Sequence, residues 1–295
     1  METQWPLLIF SILLGMGSGL LVFVGIGEIK GTFHKVRFAL ALTALVLLGV
    51  GGVASTFHLG HIDRAFHILG NMSSGLSREL FAVAFAGIVA LASAILARKD
   101  YPGASKVVGI LALIAGIVLP LVAGASFMMP ARPAWDSLTL PLMYLGTGLG
   151  MGFVLAAALA CVMGDAKEAP LALKVALIGV VLSIVTVVAY VAWIAFAPFA
   201  HESRSIDRLF SGSLAMEFWL GVVVAGILLP AVLVGLAVKK GGNKPALAGA
   251  TAEGAATLKQ TAGYLWVALA CLVVGSVVLR TIMYAVATSV ESLIY

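Results

Sequence analysis

Long apolar runs alternate with short polar connections along this chain, and the runs carry no charge. No Asp, Glu, Lys or Arg occurs in residues 3–27, 38–62, 80–97, 107–131, 137–164, 175–201, 218–238 or 260–279. Each run holds at least 18 residues, and about 20 apolar residues in a helix cross the hydrocarbon core of a bilayer. A backbone in lipid must satisfy its own hydrogen bonds, so the runs predict helices rather than open strands. The expected fold is therefore all-α and integral to a membrane. Its eight spans fall at about 7–27, 38–58, 80–97, 107–128, 140–163, 172–198, 218–238 and 262–286.

The pattern also repeats. Trp5-Pro6-Leu7 opens the first span and Leu140-Pro141-Leu142 the fifth; aligning the prolines brings Gly15-Met16-Gly17 onto Gly150-Met151-Gly152. In later connections His61-Ile62-Asp63-Arg64-Ala65-Phe66 matches Ser205-Ile206-Asp207-Arg208-Leu209-Phe210, and a glutamate follows each, Glu79 or Glu217. Both matches fall at the same place in a four-span unit. The expectation is two four-helix bundles, residues 1–128 and 129–295, related as a parallel repeat. Shared glycine patterns also arise simply because small residues let apolar helices pack closely.

Charge orients the spans. The connections after spans 1, 3, 5 and 7 hold twelve Lys and Arg residues and the opposite side six. Basic residues concentrate on the cytoplasmic side, so both termini are expected outside. The N-terminal METQWPLL has no basic residue and no small-residue cleavage site, and is expected to remain as a span. The composition, 62% hydrophobic with only 11% charged residues, excludes an ordinary soluble domain. The net charge of +5 reflects this topology rather than an affinity for nucleic acid. Trp5, Trp135 and Trp219 fall near outer span ends, as in an aromatic belt. The Gly/Ala-rich connection 239–261 is expected to be a flexible linker.

The titratable groups lie between the runs. Three of five histidines fall within STFHLGHIDRAFHILGNMSSGLSREL, residues 55–80. His58 follows an apolar run, at the membrane boundary, where a neutral imidazole can hydrogen-bond a hydroxyl and accept its proton. Glu79 opens the third span and could pass that proton to water. A quinol headgroup needs those services, since it loses two protons and two electrons. His58 equally fits a plain helix end at the interface. Asp63–Arg64 and Arg78–Glu79 fit surface pairs of small energetic weight. Arg280 lies within the last apolar stretch, where an arginine is costly and usually faces the bundle interior. Tyr284 lies one turn on, on the same face; snorkelling to the headgroups is the alternative for Arg280. No histidine lies mid-span to hold a haem. The histidine spacing does not suit zinc. Two cysteines, Cys161 and Cys271, cannot hold an iron–sulfur cluster. No cofactor or metal site is expected in this chain.

Several of these segments resemble one family. His58-Leu59-Gly60 with Arg64-Ala65-Phe66, running on to Leu76-Ser77-Arg78-Glu79-Leu80, is similar to the H-L-G-x-x-x-R-A-F segment of the membrane anchor subunits of bacterial dimethyl sulfoxide reductases. QWPLLIF (4–10), Pro133-Ala134-Trp135, Pro141 and RTIMY (280–284) resemble further parts of that family. The resemblance implies an eight-helix anchor with outside termini in the bacterial cytoplasmic membrane. Such an anchor oxidises menaquinol as a bound substrate, without haem, flavin or cluster of its own. It passes the electrons to a four-cluster iron–sulfur subunit, which feeds a molybdopterin catalytic subunit. By resemblance His58 matches the histidine associated with quinol binding, Glu79 the acidic residue at the start of the third span, and Arg64 and Arg280 polar positions of the family. With Tyr284 beside Arg280 these are the expected quinol-binding residues, His58 and Glu79 handling the protons. His61-Ile62-Asp63 departs from the family's more neutral stretch and adds charge beside His58. The chain would not itself act on the terminal acceptor. The rival from another class is a secondary transporter built from a four-helix repeat. Such sites usually lie at the midplane with buried charge, whereas the titratable groups here crowd one face.

Overall fold

The absence of charge over each run, and the placement of breakers between them, yields eight long helices. The computed structural model of the chain describes residues 4–57, 74–99, 102–163, 166–196, 206–241 and 252–286. The helices are α1 (Trp5–Lys30), α2 (Arg37–Thr56), α3 (Gly75–Leu96), α4 (Pro102–Ala125), α5 (Thr139–Val162), α6 (Ala169–Phe196), α7 (Glu217–Gly241) and α8 (Ala252–Val286). All eight are long and apolar enough to cross a bilayer. No strand occurs among the described residues.

Local chemistry sets the ends. Pro6 sits in the first turn of α1, where a missing N–H costs nothing, and Lys30 lies in its last turn, favourable to the helix dipole. Gly31 then adopts φ +64° and its N–H bonds Gly27 O, the left-handed cap that glycine tolerates best. Ser74 caps α3 by accepting a hydrogen bond from the Ser77 N–H. α7 is wound as a π-helix over Glu217–Leu228, with Leu229 N–H bonded to Val224 O. Pro230 follows at once, and a wider winding relieves the clash of its ring with the preceding turn.

α1 packs against α2 and α4, and α3 closes that group by packing on α2 and α4. α5, α6, α7 and α8 make a second ring of neighbours in the same order. The two groups meet along α1 and α5, the most deeply buried helices, with α4 also touching α5. Their crossing depends on glycine. A Cβ at Gly19 would come 2.5 Å from the Gly148 carbonyl oxygen and 2.9 Å from the Gly152 Cα. Small residues at that crossing let two backbones touch, which favours association where lipid offers no hydrophobic drive.

The expected linker over 239–261 is only partly a linker. Residues 239–241 finish α7, and 252–261 form the first turns of α8. The Ala, Glu, Leu, Lys and Gln of that segment are strong helix formers, and they outweigh its single glycine at 254. At 1.5 Å per residue the 35 residues of α8 extend over about 52 Å, well beyond the hydrocarbon core of about 30 Å.

Candidate functional site

One end of the bundle carries a buried polar and aromatic cluster. It forms where α3, α5 and the C-terminal parts of α6 and α8 come together, roofed by the connection between α4 and α5. That connection folds into a 3₁₀ turn over Pro133–Trp135. Two hydrogen bonds pin it to the bundle: Trp135 Nε1 donates to the Met283 carbonyl (2.9 Å) and Tyr190 Oη to the Ala134 carbonyl (3.1 Å). Trp135 is 2% exposed, so it is not part of an interfacial belt as expected from its position. Trp5 and Trp219 do stand exposed, at 57% and 44%.

Phe127, Trp135, Tyr144 and Tyr284 pack as one aromatic group. Ring centroids lie 5.7 Å apart for Phe127–Trp135, 5.8 Å for Phe127–Tyr144, 6.0 Å for Phe127–Tyr284 and 5.8 Å for Trp135–Tyr284. These separations are those of favourable edge-on or tilted pairs. The Tyr144 hydroxyl donates weakly to Met283 Sδ at 3.8 Å.

Arg280 enters this cluster from α8. It is 2% exposed, and its guanidinium carbon lies 3.3 Å from the centre of the Tyr144 ring. That is cation–π contact at a desolvated site. Its Nη2 donates to Thr147 Oγ1 at 3.4 Å, while Nε and Nη1 have no hydrogen-bond partner among the described residues. The snorkelling alternative is thereby excluded: the side chain turns inward. Thr147 is also reached from the far side by a narrow cavity bordered by Ser183 and Ser276, with room for a single water molecule.

Glu79 lies in the second turn of α3 and is 9% exposed, whereas its neighbour Arg78 stands exposed. The two point to different sides of the helix, so they do not form the expected surface pair. Glu79 and Arg280 are both close enough to act electrostatically on the hydroxyls of Tyr144 and Tyr284. Three of the expected site residues, Glu79, Arg280 and Tyr284, thus converge at one end of the bundle. His58 and Arg64, with His61, Asp63 and His67, lie outside the described residues. The counterpart of Glu79, Glu217 at the start of α7, is exposed. Arg208 reaches the Ala285 carbonyl at 3.3 Å, near the end of α8.

Sequence reasoning missed Phe127, Trp135, Tyr144, Thr147 and Tyr190. Each lies in an apolar or loop stretch with no polar spacing to single it out; only packing brings them to Arg280. Tyr144 carried one weak signal, since it sits near the start of the span paired with the first in the repeat alignment.

With this geometry in view, comparison with known proteins gives one result. A family model described as DMSO reductase anchor subunit (DmsC) matches residues 1–234. No curated protein matches the chain significantly.

Proposed function

The chain belongs to the DMSO reductase anchor subunit family, and on that premise we propose that it oxidises a membrane-dissolved quinol at the Arg280–Glu79 cluster. As a member of that family it is a multi-pass membrane protein that anchors a DMSO reductase complex. The finer reading concerns the electrons: they leave menaquinol and pass to a four-cluster iron–sulfur subunit, and through it to a molybdopterin subunit.

The observation that carries the reading is Arg280. An arginine inside a membrane bundle costs about 3 kcal/mol on insertion scales and marks function when it faces the interior. Its Nε and Nη1 are donors without partners among the described residues. They suit the oxygen of a quinol, most of all as that oxygen loses its proton and gains negative charge. The rings of Tyr144 and Tyr284 belong to the aromatic group packed around the guanidinium.

The steps balance as follows. The quinol gives up two hydroxyl protons and two electrons and leaves as the quinone. Arg280 holds the oxygen and stabilises its developing charge. His58, placed by the resemblance, accepts a proton; Glu79 takes protons and relays them to water. Arg64, which matches a polar position of the family, is a further candidate for the quinol site. Both electrons go to the partner subunit. Protons and electrons leaving on one side move no net charge across the membrane.

The test uses the purified complex carrying Arg280→Gln. Turnover driven by a menaquinol analogue should fall about 10²- to 10³-fold, the usual loss for one donor to a developing oxyanion. Turnover driven by a reduced dye that feeds the catalytic subunit directly should remain. Unchanged quinol turnover overturns the reading, and an Arg280→Lys variant that restores part of the rate supports it.

A further inference from the structure

At the opposite end of the same helices lies a second polar site, which the quinol reading does not use. The C-terminal turns of α1 and α3 and the N-terminal turns of α2 and α4 enclose a pocket of about 650 Å³. That lies within the about 300–1,000 Å³ of small-molecule sites. Among the described residues its wall carries five cations, Lys30, Arg37, Arg98, Lys99 and Lys106, against one carboxylate, Glu28.

One oxygen of the carboxylate is already engaged. Glu28 Oε2 lies 2.5 Å from Arg37 Nη1, and both side chains are buried. Arg37 also donates to His34 Nδ1, while His34 Nε2 donates to the Gly31 carbonyl at 2.8 Å. Those two bonds fix the imidazole as its Nε2–H tautomer. Arg98 is held over the Phe38 ring, 3.8 Å from its centre, which positions the cation without neutralising it. Glu28 and Arg37 form a buried ion pair at the base of the pocket. The pocket therefore retains a surplus of positive charge around a rigid, buried centre.

We propose that this pocket binds a phosphate group, supplied by an anionic phospholipid of the leaflet on that side. Two observations select this ligand. Basic pockets between membrane helices recognise phosphate headgroups, and Lys and Arg there act as point charges and hydrogen-bond donors. The surface leading from the pocket is apolar: Leu91 and Ile95 on α3, next to Leu96, and Val107 and Ile110 on α4, next to Lys106, all stand exposed. A headgroup in the pocket thus lays its acyl chains along helix faces made for lipid. Ser105, buried on the wall, adds a hydroxyl donor.

The test starts from the delipidated complex. Binding is read as thermal stabilisation during titration with phosphatidylglycerol, phosphatidylcholine or inorganic phosphate, and as lipid retained in native mass spectrometry. Phosphatidylglycerol should stabilise and be retained, with little effect of the other two. In Lys30→Gln/Arg98→Gln/Lys106→Gln the affinity should fall about 100-fold, each cation near the anionic group contributing about fivefold. Lys167→Gln/Lys174→Gln/Lys259→Gln removes the same charge from outside the pocket and should bind as the parent does. If the first triple fails to assemble, the single exposed change Lys106→Glu carries the test, with a loss of tenfold or more. Equal stabilisation by inorganic phosphate would keep the phosphate site and make its ligand soluble. Equal binding of phosphatidylcholine, or equal loss in both triples, overturns the proposal.

Discussion

Arg37 and Arg280 are two buried guanidiniums that the fold treats in opposite ways. Arg37 is neutralised by Glu28, its carboxylate at 2.5 Å. Among the described residues Arg280 has a ring, one hydroxyl and no carboxylate, with two nitrogens unpartnered against one in Arg37. The difference predicts different responses to substitution. Arg37→Met leaves Glu28 buried and alone, so thermal unfolding in detergent should show a loss of about 3–5 kcal/mol. Glu28→Gln/Arg37→Met should recover most of it, because no charge is then stranded. Arg280→Met removes a charge that is poorly compensated, and should melt at or above the parent temperature while quinol turnover collapses. A fall as large as that of Arg37→Met would make Arg280 a structural residue. Tyr144 tests the same site: Tyr144→Phe keeps the ring under the guanidinium and should be mild, whereas Tyr144→Leu should weaken quinol turnover about 30-fold, the equivalent of about 2 kcal/mol of desolvated cation–π contact. The burial of Arg280 and Tyr284 was legible in the sequence, because a charge in an apolar run has few places to go. The Glu28–Arg37 pair was not. Both residues sit at the margins of charge-free runs, nine positions apart, and looked like connection charges until the turn over 31–36 folded them together.

The helices themselves follow from the charge-free runs, whose limits predicted every span to within a few residues except at the start of α8. What the pattern does not contain is which faces meet. The α1–α5 crossing shows why. Glycine is apolar and silent in periodicity, yet at Gly19 even one added carbon would meet backbone at 2.5 Å. Gly19→Ala should therefore part α1 from α5, lower the melting temperature of the complex and reduce its recovery from membranes. Gly87 on α3 has nothing within 4 Å of its missing Cβ, so Gly87→Ala should be neutral or slightly stabilising through helix propensity alone. Equal behaviour of the two variants would mean that the crossing tolerates separation. Trp135 illustrates the same limit in a connection: its place in the sequence suited the interface, and two hydrogen bonds to the bundle placed it in the interior.

Across the whole molecule the two ends differ in kind. One end gathers aromatic rings, Glu79 and Arg280; the other carries most of the basic residues around the Glu28–Arg37 pocket. Basic residues mark the cytoplasmic side, so the aromatic end should face outward, and with it the proposed quinol site. The assignment can be checked in a chain with Cys161→Ala and Cys271→Ala, to which a single new cysteine is added. Lys99→Cys at the basic end and Ser213→Cys at the aromatic end both occupy exposed positions. With a membrane-impermeant maleimide, Ser213→Cys should react in intact cells, and Lys99→Cys only after the membrane is opened. The reverse labelling would put quinol oxidation and its proton release on the cytoplasmic side. It would also move the phosphate pocket, with its cations, to the outer leaflet. Orientation therefore couples the two sites: one labelling experiment decides which face releases the protons and which leaflet supplies the lipid.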